Sequence, residues 1–225
     1  MRRAMLQKEF QELIVWAGLL LIIMLLATVD LAGTNPLTLQ KRQYDIPIPF
    51  VNSQGLHGLG LYGSIAAIVL AMRQTIGESV QGTWIFLLHR TVSRKWIVLH
   101  KMIAGLSVFY LITGIPFAGY TLWAATPGTH ASPFRWEFVL PTLTLWISLS
   151  IVYLGAFLCG LREANWVGSR LLPLAGTIGF FLVLYAGVST YDVRIEIGAI
   201  LVTLLLDALL LKAVIAAAET REFST

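Results

Sequence analysis

A chain of 225 residues in which 57% are hydrophobic and 12% charged, with mean hydropathy +0.77, carries about half the charge of a soluble domain, which runs near 25%. Lipid is therefore its expected solvent, the net charge of +4 informs through where the cations fall, and no nucleic-acid partner is expected. The single cysteine, Cys159, excludes a disulfide within one chain and any Cys/His metal spacing, while the absence of a GxxxxGK[ST] loop excludes ATP hydrolysis by that device.

In chain order, residues 1–12 read as an amphipathic helix lying on the inner membrane surface. Met5, Leu6 and Phe10 share its apolar face, and Arg2, Arg3 and Lys8 meet anionic headgroups. The apolar run that follows is longer than the roughly 7–15 residues of a signal-peptide core, so it reads as a retained first span. Six segments reach about the 20 residues that a membrane crossing needs: 13–32, 55–72, 102–125, 138–161, 171–188 and 195–217. Backbone groups in lipid must be satisfied within the segment, which makes each of them a helix. The fold expected is all-α, a single six-span domain over residues 1–225.

Between spans one and two, residues 34–54 contain Pro36, Pro47 and Pro49, which disfavour helix and sheet interiors; an extended cap over the outer mouth is expected. Span two carries Gly63, Ala67 and Ala71 at four-residue intervals, a smooth stripe for close helix packing. Gly114, Pro116 and Gly119 are expected to kink span three. The short link STYDVRIE, 189–196, reads as a pair of half-inserted helical turns. Asp207 is the acid that falls well inside a span, where it either packs against a polar neighbour or relays protons. His57, His89, His100 and His130 offer no pair at matching depth for haem ligation. Of the 16 lysines and arginines, Lys41, Arg42, Arg135 and Arg194 fall outside and the rest inside when the N-terminus is cytoplasmic. By the positive-inside rule both termini are then cytoplasmic.

The stretch GESVQGTWIFLLHRTVSRKWIVLHK, Gly77–Lys101, lies between spans two and three. Ile76, Val80, Trp84, Leu87 and Leu88 recur at helical spacing, so residues 77–90 read as a helix resting on the inner leaflet. Its order of residues, Glu78, Gly82, Thr83, Phe86, Leu87, Leu88, Arg90, Val92, Ser93, Arg94 and then Lys101, resembles the membrane subunit of ABC-2 type ABC transporters. Thr91 stands where that family commonly has proline, at the bend after the helix.

The resemblance implies an N-terminal interfacial helix, six spans and a coupling helix at 77–90 that docks into a cytoplasmic ABC ATPase. Glu78, Gln81, Gly82, Thr83, Leu87, Arg90, Ser93, Arg94 and Lys101 are the implied ATPase-coupling residues. It implies a non-catalytic permease of a plasma or inner cell membrane that pairs with a second copy, as homodimer or heterodimer, to form an export path. This chain would hold no cofactor, ATP and Mg being bound by the ATPase. Two other readings stand beside it: an ion-coupled secondary transporter or channel using Asp207, and a membrane scaffold or redox-assembly subunit.

Overall fold

The computed structural model describes residues 2–34, 37, 48–51, 54–81, 93–130, 133–162, 167–188 and 192–220; the side chains of 2–6, 54–57 and 78–81 are left out of the description. The described elements are all helical: α1 (Arg2–Leu31), α2 (Gln54–Gln81), α3 (Arg94–Ala125), α4 (Leu140–Leu161), α5 (Val167–Val188) and α6 (Val193–Thr220). One 3-10 turn, Trp136–Val139, leads into α4. Six helical stretches are long and apolar enough to cross a membrane: Gln7–Leu31, Gly58–Gly77, Arg94–Ala125, Trp136–Leu161, Val167–Val188 and Val193–Thr220. Ile14, Val15, Leu201 and Leu205 are more than half exposed; on a chain of this composition such faces suit hydrocarbon rather than water.

The helices alternate in direction. Glu9, Gln74 and Lys101 meet at one end of the bundle, early in α1, late in α2 and early in α3. At the other end Leu31, Phe50, Tyr120 and Thr142 line a common cavity. We call the first end, where Arg2 and Thr220 lie, the base, and the opposite end the head.

Helix α4 is the axis. Its sequence LPTLTLWISLSIVYLGAFLCGL contains no charge, it packs against α2, α5 and α6, and 83% of its span is buried against 17% for each of α5 and α6. Small residues let the neighbours approach. A Cβ on Gly155 would overlap Thr177 of α5, and one on Gly160 would overlap Thr75 of α2, so both crossings are tight backbone contacts of the small-residue kind. On α2, Gly63 faces the Leu149 side chain of α4, and Ala67 and Ala71 of the same stripe are fully buried. Helix α1 lies chiefly along α3.

Three boundaries differ from those expected. Residues 2–12 are not a separate surface helix: they run unbroken into the first span as α1. LQKEFQELIVW holds neither glycine nor proline, so nothing stops the helix where its polarity changes. Helix α2 passes the expected end at 72 and continues to Gln81. Residues 77–81 are therefore the last turns of α2, not the start of a distinct coupling helix, and 82–92 lie outside the described residues. Helix α3 starts at Arg94, eight positions before 102, and passes through Pro116 as one element.

At the head, Phe50 is buried among the rings of Phe117, Tyr120 and Phe134, with centroids at 6.4, 5.0 and 6.5 Å. Its φ of 65° is rare for a bulky residue and is held by that aromatic nest. A cavity of about 40 Å³ lies beneath, bounded also by Met24, Thr28 and Thr142. Most of the expected cap, 34–54, lies outside the described residues. So do 189–191 of the link between α5 and α6, of which Asp192 caps α6 by accepting the Arg194 N–H on Oδ1 at 2.9 Å.

Candidate functional site: a buried polar cluster at the base

Helix α1 turns one face inward, carrying Glu9, Leu13, Ala17, Leu20 and Met24, all buried. The spacing of three and four residues is that of one helix face, and it puts an acid among apolar neighbours. On α3 the buried face includes Ile97, Lys101 and Gly105, which puts a cation at the same depth. Lys101 Nζ meets Glu9 Oε1 at 2.7 Å, with Lys101 0% and Glu9 3% exposed.

Gln74 of α2 completes the arrangement. Its Nε2 donates to Glu9 Oε2 at 3.3 Å and to the Lys101 carbonyl at 3.0 Å. Tyr153 of α4 donates its hydroxyl to Gln74 Oε1. Four helices are thus joined by one charge pair and three hydrogen bonds, and Gln74 and Tyr153 are both buried. Gly105 makes this possible, because a Cβ there would overlap the Tyr153 hydroxyl and the Gln74 amide.

No protein family, curated protein or solved structure matches the chain.

Of the expected coupling residues, Lys101 needs a correction. It is not presented to a soluble partner but sealed inside the bundle, because α3 begins two turns earlier than expected and carries it inward. Arg94 is the exposed first residue of α3, and Ser93 is its N-cap, with extended backbone and no side-chain cap bond. Glu78 and Gln81 occupy the final turns of α2, with side chains beyond the description. Gly82, Thr83, Leu87 and Arg90 lie outside the described residues. Asp207 accepts the Ser150 hydroxyl of α4 on Oδ2 at 2.6 Å. His100 and His130 each bond a backbone carbonyl, of Trp96 at 2.7 Å and of Ala124 at 2.8 Å.

Glu9, Gln74 and Tyr153 were not singled out by the sequence reading. One signal for Glu9 was available: it precedes Leu13 by four positions and Ala17 by eight, so continuing the helix of the first span backwards places it on the buried face.

Proposed function

We propose that this chain is the membrane permease subunit of an ATP-driven exporter of the ABC-2 type. It would pair with a second copy, identical or related, and receive force from a separate cytoplasmic ATPase through residues 77–101. The base would face the cytoplasm of a cell membrane. ATP and Mg would bind the ATPase, and this chain would perform no chemistry.

The observation that carries the reading is the bond from Gln74 to the Lys101 carbonyl. It ties together the two helices flanking residues 82–92, and the Lys101–Glu9 pair and Tyr153 extend the tie to α1 and α4. A displacement applied at 82–92 then reaches four helices together as a rigid-body tilt rather than bending one loop. Helices α2 and α3, of 28 and 32 residues, are levers long enough to carry that tilt across the bilayer.

The test is the double exchange Glu78→Ala with Arg94→Ala, which removes an acid and a cation from the two flanks of the loop and leaves the buried cluster intact. In the assembled transporter the variant is expected to insert and fold normally and to lose ATP-coupled transport by at least about tenfold, the loss of about 1.4 kcal/mol of coupling. Coupled hydrolysis at the native rate would overturn the proposal.

A further inference from the structure

Two acids of α6, Glu196 buried and Asp207 half-buried, carry buried carboxylate oxygens without a hydrogen-bond partner. Glu196 is 2% exposed, and neither of its oxygens accepts a hydrogen bond. Thr144 of α4 lies beside it, outside hydrogen-bond geometry. Its place in the first turn of α6 suits an acid but supplies no partner, because Asp192 already takes the N–H groups of Arg194 and Glu196. Eleven positions further, about 16 Å along the helix at ~1.5 Å per residue, Asp207 has one oxygen bonded to Ser150 and the other, Oδ1, buried without a partner.

Between them Ser148 of α4 and Thr203 of α6 share a hydroxyl–hydroxyl bond of 2.8 Å. Positions 196, 203 and 207 are two turns and one turn apart, hence on one face of α6. Thr144, Ser148 and Ser150 descend α4 in the same order. The seam between α4 and α6 is therefore a polar ladder running from the head to mid-bundle.

What could occupy such a ladder is narrow. From α3, Tyr110 is the titratable group set against Asp207, and its hydroxyl donates to the Ile147 carbonyl at 3.0 Å. Neither α4 nor α5 brings a charged side chain against either acid. Arg194 and Lys212, on α6 itself, make no ion pair with them among the described residues. A metal cation of the hard type takes about six or more oxygens, and no three acidic, histidine or cysteine side chains gather among the described residues. A proton needs one oxygen, turns it into a donor, and can be handed along hydroxyls that both donate and accept.

We propose that Glu196, Thr203, Ser148, Ser150 and Asp207 form a proton-binding seam between α4 and α6, with Glu196 at its head end and Asp207 at mid-bundle. It goes beyond the permease reading and does not depend on an ATPase: the same seam would serve a nucleotide-driven or an ion-driven protein.

Dicyclohexylcarbodiimide tests it. The reagent partitions into lipid and adds covalently to a carboxyl only when that carboxyl carries its proton. The full chain, in native membranes, would be treated at several pH values and its acids read by peptide mass spectrometry. Adducts are expected on Asp207 and Glu196, falling about tenfold per pH unit once the carboxyl has titrated, because the protonated fraction does so. Asp207→Asn and Glu196→Gln are each expected to lose their own adduct and retain the other. Native protein that gives no adduct at either acid, labelling confined to Glu12 or Asp30, or labelling indifferent to pH would each overturn the proposal. Because the native chain supplies this readout, a variant that fails to fold leaves the test standing.

Discussion

Exchanging Glu9 for glutamine, or Lys101 for methionine, is expected to lower stability by about 3–5 kcal/mol, and combining the two is expected to restore most of the loss. Each single exchange leaves one charge sealed in the bundle with nothing to neutralise it. The double exchange removes both charges and their desolvation penalty together, which is why most of the loss is recovered. At about 2–4 °C per kcal/mol for a chain of this size, each single exchange would lower the unfolding midpoint in detergent or nanodiscs by about 6–20 °C. A control lies one turn away: Lys8 and Glu12 pair at 3.4 Å with side chains 44% and 35% exposed. An exposed pair of that kind is worth about 0.3–0.5 kcal/mol, so Glu12→Gln is expected to leave the midpoint within about 2 °C. Equal shifts in the two pairs would mean that the inner pair is hydrated.

Gly105→Ala is expected to destabilise as severely, for a different reason. The added methyl enters space held by the Tyr153 hydroxyl and the Gln74 amide. Forcing an extra carbon into a packed site costs about 1–3 kcal/mol. Losing the Tyr153 donor leaves Gln74 Oε1 buried and unmet, a further cost of about 1–3 kcal/mol. Tyr153→Phe alone carries the second penalty without the first. Combined with Gly105→Ala it vacates the position that the new methyl occupies, so the pair is expected to cost less than the sum of the two singles. A double-mutant cycle on thermal unfolding measures that coupling; strict additivity would show that the methyl is accommodated elsewhere.

These two expectations rest on contacts that local pattern in the sequence shows only faintly. The six spans were legible, because an apolar run of membrane length admits few alternatives to a helix. The stripe at Gly63, Ala67 and Ala71 was legible through its spacing. The ends of the helices were less so, since a change from apolar to polar residues marks where a helix leaves lipid and not where it stops. That misreading placed Glu9 on a surface helix and Lys101 in a loop. Their pairing joins positions 92 apart in the chain, beyond the reach of any periodicity. Glu196 was passed over likewise: it stood where the link 189–196 overlaps the start of the expected span 195–217, whereas α6 begins at Val193 and buries it. The role of α4 as the axis follows from its lack of charge, a signal present in the sequence but shared in part by its neighbours.

For the proposed coupling residues the relation between sequence and structure is different. Glu78, Gly82, Thr83, Arg90 and Arg94 gain meaning through order and resemblance, and their chemistry would be completed by a surface on another protein. The buried cluster explains how force at 82–92 would spread; it does not by itself supply the force.

Affinity purification of the full chain in mild detergent, followed by identification of what remains bound, bears on that point most directly. A soluble ATPase with a phosphate-binding loop is expected to co-purify at a defined ratio and to be lost when Glu78 and Arg94 are both replaced by alanine. Recovery of the folded chain without any ATPase, together with transport by it in vesicles free of nucleotide, would contradict the permease reading.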